Sequence, residues 1–374
     1  HGLFDSFDES GTGSTAAVAR SLDAPILLVV NATRMGRSAA AIVHGCQTFE
    51  ADTNIAGVVL NQVAHGRHEI RMRAAIERHC HIPVIGAIPR GEQLVIPDRH
   101  LGLVPRAEQE TLLSAISACR QAVEKYLDLE AILRIAERTS PVLVEVDSAR
   151  GESNLPGPRA RIGVLRDRAF TFYYPENLEA LEAAGADLIC INALAEAQLP
   201  PLDALYIGGG FPEIFMDELS ANVSLRGAIR GAVAQGLPVY AECGGMMYLS
   251  RRITWGEKSA EMVGVLPCEI EMTGKPQGHG YVAAQVDESN PFFAKGTTLR
   301  GHEFHNSRVV THEPLNTAYH LSRGNGLGDG RDGIVIRNVL ASYTHLHVGG
   351  AGEWARNLIR RAQAYRQSRA AGGS

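Results

Sequence analysis

The residue best suited to nucleophilic chemistry is Cys243, which follows an apolar run in the segment 238–249 (PVYAECGGMMYL). The run predicts a buried strand that leads directly into the cysteine, and a helical pattern follows it. Ala241 and Gly245 flank the sulfur at the spacing typical of a nucleophile elbow, a strained turn with no room for larger side chains. A helix amino terminus also favours the reactive thiolate. The alternative is a buried core cysteine, but the glycine pair and the strand–turn–helix context favour a nucleophile.

Two histidines lie near the end of the chain, in the strand-like run 341–348 (ASYTHLHV). His345 and His347 are two positions apart, so in an extended strand both point to the same face. One of them can act as the general base that activates Cys243. A pair at this spacing can also bind a metal, but no acidic or cysteine partner with metal-like spacing accompanies it. We therefore expect no structural metal site.

Three glycines follow a predicted strand in the segment 205–213 (LYIGGGFPE). Such a loop can present bare backbone N–H groups to a developing oxyanion, and the N–H of Gly244 can add another donor. Gly209, Gly210 and Gly244 are thus candidate oxyanion-hole residues. A glycine run after a strand is more often only a turn, so this interpretation depends on the cysteine and the histidine.

Composition excludes several classes of protein. Hydrophobic residues make up 45% and charged residues 21% of the 374 residues, which is ordinary for a folded globular protein. The net charge of −5 gives no basic surface for nucleic acid. Apolar runs are far shorter than the roughly 20 residues of a membrane helix. Six scattered cysteines argue against a disulfide framework, so we expect a cytoplasmic protein without nucleic-acid or membrane partners.

Short β-branched runs alternate with amphipathic stretches throughout the chain, a rhythm that predicts βαβ units on parallel sheets. The pattern is interrupted once, by a proline- and glycine-rich segment typical of a linker. We predict two doubly wound, mostly parallel-sheet α/β domains, residues 1–147 and residues 161–370. A linker at 148–160 joins them, and the second domain is expected to have a flavodoxin-like fold.

Three motifs together resemble the glutaminase domain of the cobyrinic acid a,c-diamide synthase family: 206–213 (YIGGGFPE), 241–249 (AECGGMMYL) and 342–347 (SYTHLH). The family belongs to the class I, triad-type glutamine amidotransferases. The resemblance implies Cys243 as nucleophile and selects His345 over His347 as its base. Ordinary class I domains have an orienting glutamate two residues after the histidine. That position is His347 here. The cobyrinate branch of the class is similar in lacking this acid, so the resemblance implies a Cys–His dyad.

Further segments between the nucleophile and the base resemble the same family, at 277–281 (QGHGY) and 301–307 (GHEFHNS). Their histidines are His279, His302 and His305. These side chains either face the carboxylates of a tetrapyrrole substrate or form local hydrogen bonds. The sequence leaves both interpretations open.

The resemblance continues through the first domain, in the segments 2–5 (GLFD), 13–16, 25–30, 57–61 (GVVLN) and 97–103 (PDRHLGL). In the family this domain is a P-loop synthetase that uses ATP and Mg²⁺ to phosphorylate a peripheral carboxylate, which ammonia then converts to an amide. The sequence contains no G-x-x-x-x-G-K-[ST] loop. We therefore expect an amino-terminal truncation of one to two βαβ units that leaves this fragment incomplete for ATP use.

The resemblance assigns roles to two residues of the first domain. Asp5 matches an acidic residue that binds magnesium or orients the substrate carboxylate, with a solvated or capping acid as the alternative. Asn61 matches a position that contacts the nucleotide base. The residue after Asp5 departs from the commoner glycine, which leaves the identity of the tetrapyrrole open.

The resemblance implies ATP- and glutamine-dependent amidation of the a and c acetates of cobyrinate or hydrogenobyrinate in cobalamin biosynthesis. The expected partners are L-glutamine and a corrinoid tetrapyrrole, and a homodimer is left open. One alternative is the same reaction on sirohydrochlorin, nickel-sirohydrochlorin or sirohaem. Another, of a different class, is a non-catalytic ligand-binding homologue.

Overall fold

The computed structural model describes residues 2–6, 8–91, 94, 109–139 and 158–372. The chain divides into two compact units, residues 1–146 and 147–374. The predicted linker at 148–160 lies outside the described residues except for its last three positions, and so does the family-like segment 97–103. Each unit is described by itself.

The first unit contains a three-stranded parallel sheet with helices between the strands. The strands pair in the order β1, β2, β3. Buried aliphatic residues of the sheet pack against the second and third helices. The elements are β1 (Ile26–Asn31), β2 (Ile55–Val63) and β3 (Val84–Pro89), with α1 (Thr15–Ser21), α2 (Ser38–Phe49), α3 (Gly66–Cys80), α4 (Gln109–Tyr126) and α5 (Leu129–Ala136).

Two consecutive helices, α4 and α5, follow β3 in the chain order. Asp128 separates them, because its side chain accepts a hydrogen bond from the amide of Ala131 at 2.9 Å and thereby caps α5. The amide of Asp128 donates to the carbonyl of Ile85 in β3 at 2.8 Å. This connection holds the helix junction against the sheet.

The second unit is built on a ten-stranded mixed sheet. Its central and outer strands β18, β9, β7, β4 and β6 are parallel to one another, and the remaining strands extend the sheet in antiparallel fashion. Its strands, in sheet order, are β19 (His345–Leu346), β14 (Thr298–His305), β13 (Gly278–Val286), β16 (Thr317–Arg323), β17 (Arg331–Ile336), β18 (Val339–Ser342), β9 (Val239–Glu242), β7 (Ala204–Ile207), β4 (Ala160–Leu165) and β6 (Ala186–Ile191).

Two smaller sheets and five helices complete the second unit as described. The order in the four-stranded sheet is β11, β10, β12, β15, and β5 pairs with β8. The elements are β5 (Phe170–Phe172), β8 (Gly209–Gly210), β10 (Arg252–Trp255), β11 (Lys258–Glu261), β12 (Glu269–Met272), β15 (Ser307–Val310), α6 (Pro175–Ala183), α7 (Met216–Ala221), α8 (Val223–Ala234), α9 (Gly244–Leu249) and α10 (Trp354–Gly372), with a 3-10 helix at Val348–Gly350.

Strand β9 lies inside the parallel region, between β18 and β7, and all four of its residues are buried. Because side chains alternate along a strand, Val239 and Ala241 pack into the core on one face of the sheet. Tyr240 packs into the core on the other face, together with Tyr206 and Trp354. A strand buried on both faces is the usual arrangement in parallel sheets, and the sequence predicted it here. The antiparallel extension was not predicted.

A test of the first unit's packing uses Gly86 of β3. A Cβ there would lie 2.8 Å from the backbone oxygen of Tyr126 and 3.1 Å from the Cα of Leu127. Gly86→Ala should therefore destabilise the unit by about 1–3 kcal/mol, as overpacking commonly does. Gly45→Ala in α2 is the control, because it meets no atom within 4 Å and should stabilise the helix by about 0.5–1 kcal/mol. Hydrogen exchange of first-unit peptides measures both, and equal protection in the two variants would contradict this.

Candidate active site around Cys243

Cys243 occupies a strained turn between β9 and α9. Its φ is 45° and its ψ is −103°, a conformation that non-glycine residues rarely adopt. The turn is fixed on both sides, because the amide of Cys243 donates to the carbonyl of Ser342 at 2.7 Å and its carbonyl accepts from the amide of Met247 at 2.9 Å. This geometry is that of a nucleophile elbow.

Close backbone packing explains the two glycines that follow the cysteine. A Cβ on Gly244 would lie 2.8 Å from the backbone nitrogen of Gly210. A Cβ on Gly245 would lie 2.3 Å from the carbonyl oxygen of Ile207 at the end of β7. Only glycine fits at either position, and the turn is therefore held directly against the glycine run.

The glycine run also contacts the histidine segment. A Cβ on Gly209 would lie 2.4 Å from Cε1 of His345. Gly209 and Gly210 form the short strand β8, which pairs with β5. The backbones of Gly210 and Gly244 meet beside Cys243, where N–H donors to an oxyanion would be needed. The structure thus brings together the five residues predicted for the nucleophile, the base and the oxyanion hole.

The segment that carries His345 is anchored before and after the imidazole. Buried Asp332 accepts hydrogen bonds from the amides of Tyr343 and Thr344, at 3.1 and 2.9 Å, and from the Thr344 hydroxyl at 2.6 Å. Asn177 of α6 donates to the carbonyl of Leu346 at 2.7 Å. These contacts fix the backbone on both sides of the histidine.

Glu242, the residue before the nucleophile, is a buried carboxyl group that faces the same histidine. Its Oε2 lies 3.9 Å from Nδ1 of His345. Three donors hold it: the hydroxyls of Tyr240 and Tyr206, at 3.0 and 3.2 Å, and the amide of Leu346 at 3.0 Å. Burial raises the pKa of Glu242 to about 7, and the three hydrogen bonds act in the opposite direction.

Burial also determines the resting charges of Cys243 and His345. It raises the pKa of the Cys243 thiol, with a further contribution from nearby Glu213, and the hydrogen bond at Gly244 does not compensate. The expected stabilisation of the thiolate at the short helix α9 is therefore outweighed. Burial lowers the pKa of His345 to about 3, so the imidazole is neutral. A neutral imidazole is free to accept a proton from the thiol.

His302 and His347 have different contacts near His345. The His302 ring stacks on that of His345, with ring centroids 4.8 Å apart and an interplanar angle of 17°, and its Nδ1 lies 3.1 Å from the hydroxyl of Tyr174. His347 is partly exposed, and its Nε2 lies 3.7 Å from Glu176. His347 therefore cannot orient His345 as the glutamate of ordinary class I domains does.

The other candidate histidines have local contacts. Exposed His279 packs on Phe304, with ring centroids 4.7 Å apart. Buried His305 stacks on Tyr343 at 3.6 Å, and its Nδ1 lies 2.9 Å from the carbonyl oxygen of Ser307. The local hydrogen bond proposed for this group thus exists for His305, whereas a contact with substrate carboxylates stays a prediction.

Asp5 and Asn61 belong to the first unit. Asp5 is exposed and accepts a hydrogen bond from the amide of Gly2. Asn61 lies within β2, which continues to Val63, and its side chain accepts from the amide of Gln62 at 2.9 Å. Their roles towards a nucleotide or magnesium stay predictions.

Among the described residues, no cluster of three or more His, Cys, Asp or Glu side chains is arranged to hold a metal ion. In the same part of the chain, no helix is both long and apolar enough to cross a membrane.

Comparison with known families identifies the class of each unit. A family model described as a CobB/CobQ-like glutamine amidotransferase domain matches residues 161–352, and one described as an AAA domain matches residues 10–98. The second unit is therefore a glutamine amidotransferase domain of this type. The α/β fold class predicted from the sequence is confirmed.

Two relatives define the family more closely. The chain is 43% identical to the cobyrinate a,c-diamide synthase of Magnetococcus marinus over 96% of this chain and 78% of that protein. It is 42% identical to the enzyme of the same name from Methanothermobacter thermautotrophicus over 96% and 80%. The chain belongs to the cobyrinate a,c-diamide synthase family and is an enzyme of that family, which confirms the resemblance seen in the sequence.

Some solved structures show a more distant similarity. PurLQS from Thermotoga maritima is 17% identical with a TM-score of 0.44, covering 55% of this chain and 99% of that one. A glutamine amidotransferase from Methylobacillus flagellatus is 15% identical with a TM-score of 0.34, covering 56% and 90%.

The raised thiol pKa predicts slow reaction of Cys243 with a general alkylating reagent. Iodoacetamide should label it more slowly than exposed Cys190, and its rate should keep rising above the ordinary thiol pKa of about 8.5, because only the thiolate reacts. Mass spectrometry of labelled peptides over a range of pH measures both rates. A Cys243 rate that levels off below about pH 8 would show a stabilised resting thiolate instead.

Proposed function

We propose that the second unit hydrolyses L-glutamine, with Cys243 as nucleophile and His345 as general base. The observation that carries this proposal is the strained turn at Cys243, packed against the same glycine run that contacts His345. A strained backbone turn of this kind has no structural advantage over a relaxed one, since strain costs on the order of 1–3 kcal/mol. A nucleophile that must project from the end of a parallel sheet requires it.

The chemistry follows from the resting charges. Neutral His345 takes the thiol proton as the sulfur attacks the carboxamide carbon of glutamine, and the backbone N–H groups of Gly244 and the glycine run stabilise the oxyanion. The imidazolium returns the proton to the leaving nitrogen, which departs as ammonia. Water then hydrolyses the thioester to glutamate, with His345 again as base.

We further propose that the ammonia forms amides at the a and c acetates of cobyrinate or hydrogenobyrinate, at the expense of ATP, in the cytoplasm. The family and the names of its members support this substrate, and the AAA-type match supports nucleotide use by the first unit. Carboxylates are poor electrophiles, so activation as an acyl phosphate is required. Magnesium at phosphate sites is commonly held by one or two carboxylates together with phosphates. The exposed carboxylate of Asp5 would fit this role. When bound, magnesium neutralises phosphate charge.

The glutaminase proposal predicts covalent labelling by diazo-oxo-norleucine, a glutamine analogue that alkylates activated amidotransferase cysteines. A single adduct should form on Cys243, faster than labelling by iodoacetamide, because the analogue enters the site in the position of glutamine. Cys243→Ser should remove the adduct, and His345→Asn should slow its formation by about 10²–10⁴-fold, the usual contribution of a general base. Peptide mass spectrometry provides the measurement.

An unmodified Cys243 in folded protein would contradict the glutaminase proposal and favour a ligand-binding homologue. Fold is checked by circular dichroism on the same samples. The exposed Cys190 serves as an internal reference for non-specific alkylation.

The amidation proposal predicts two successive products by mass spectrometry when cobyrinate is incubated with the full-length gene product, glutamine and magnesium ATP. Ammonium chloride should replace glutamine, and with it Cys243→Ser should retain activity, because that variant lacks only the ammonia source. Amidation of sirohydrochlorin in preference to cobyrinate would contradict the assigned substrate. Failure with every macrocycle, even with ammonium, would contradict the synthetase role.

A further inference from the structure

Glu242 has a position that the motifs alone do not explain. It ends the otherwise apolar strand β9, is 1% exposed and directly precedes Cys243. Burying a carboxyl group is costly unless other groups compensate. Three hydrogen-bond donors do so, yet an apolar residue at this position would need none of them. The carboxyl group therefore requires a functional explanation.

We infer that Glu242 is the positioning residue that orients His345 and stabilises its protonated form during glutamine hydrolysis. It would replace the glutamate that ordinary class I domains place two residues after the histidine, a position that is His347 here. The inference rests on the proposed glutaminase function. It would extend the expected Cys–His dyad to a triad whose acid comes from the strand that carries the nucleophile.

The geometry of the pair supports this role. Oε2 of Glu242 lies 3.9 Å from Nδ1 of His345, and the two side chains are 2% and 7% exposed. This distance is longer than a hydrogen bond, but catalytic contacts are often long without substrate. The amide of Leu346, which follows the histidine, binds the same carboxyl group at 3.0 Å. The acid is thus tied to the backbone that carries the imidazole.

Three other described carboxyl groups near this segment face different partners. Asp332 uses its oxygens on the amides of residues 333, 343 and 344 and on the Thr344 hydroxyl. Glu176 faces His347 instead. Glu303 binds the amides of Asn325 and Gly326 and faces His305. Glu242 is the described carboxyl group that has both an oxygen near Nδ1 of His345 and donors holding it there.

The proposed role follows the movement of one proton. A hydrogen on Nδ1 of His345 points to Glu242, which leaves Nε2 free to accept the proton of Cys243. When the S–H bond breaks and the Nε2–H bond forms, the imidazole becomes positive beside the carboxylate. In this buried site of low dielectric constant, a carboxylate at this distance stabilises that charge.

The acid should give the reaction a characteristic pH dependence. Burial raises the pKa of Glu242 to about 7, so the carboxylate is present above that pH and lost as pH falls through it. Other titratable groups near the pair include His302 and His305 beside the histidine. Cys243 and the tyrosines couple to the carboxyl group, namely Tyr173, Tyr174, Tyr206, Tyr240 and Tyr319. The tyrosines and His345 do not titrate near neutral pH, because burial raises the pKa of the tyrosines and lowers that of the histidine.

The experiment compares glutaminase kcat and KM of the full chain and of Glu242→Gln across pH. We expect kcat to fall by about 10²–10⁴-fold, as for removal of the acid from a catalytic triad, with KM almost unchanged. In wild type, kcat should fall as the pH drops through about 7, and we call this fall the acid limb. It should disappear in Glu242→Gln, which a purely structural role would not cause. Glu303→Gln is the matched control, another buried carboxyl group held by two backbone amides and facing a histidine, and it should keep the acid limb.

Each outcome separates the two proposals. Wild-type protein without glutaminase activity would overturn the proposed function itself. Active wild type with a Glu242→Gln variant of similar kcat and acid limb would overturn only the role of Glu242. If Glu242→Gln does not fold, Glu242→Asp decides, because it retains the carboxylate: reduced activity with the acid limb preserved supports the inference, and activity without that limb overturns it.

Discussion

The site depends on one constraint, the contact between the backbone of the Cys243 turn and the backbone of the glycine run. Gly245 meets the carbonyl of Ile207 and Gly244 meets the amide of Gly210, at distances that exclude a Cβ. The contact holds the cysteine in a left-handed conformation that would otherwise relax. It also places backbone donors beside the sulfur without any side chain, and the imidazole of His345 then fills the space that the missing side chain of Gly209 leaves.

Two buried carboxyl groups hold the segment that carries His345. Asp332 binds the backbone before His345, whereas Glu242 binds the backbone after it and faces the ring. Both require desolvation, and both are compensated by hydrogen bonds. The difference is that Asp332 has no oxygen directed to the imidazole, so it can only hold the segment, while Glu242 can also respond to its charge.

Local pattern predicted the parts of this site that are contiguous in sequence. The apolar run before Cys243 and the flanking small residues predicted the elbow, and β-branched runs predicted the parallel strands on either side of it. The role of Glu242 depends on which face of β9 it occupies and on β19, which lies about a hundred residues further along the chain. An acid inside an apolar strand was a visible signal, but its partner was not. Likewise, His302 meets His345 only because β14 pairs with β19.

In the proposed reaction, the site develops charge only once glutamine has entered. Thiol and imidazole are both neutral at rest because burial penalises their charged forms. Proton transfer between them creates two charges in a site with little water, which is unfavourable unless each charge is met by a fixed group. Backbone N–H groups meet the negative charge only once it has moved to the substrate oxyanion. A carboxylate beside the imidazole stabilises the positive charge. The backbone donors and the carboxylate therefore act together only in the transition state.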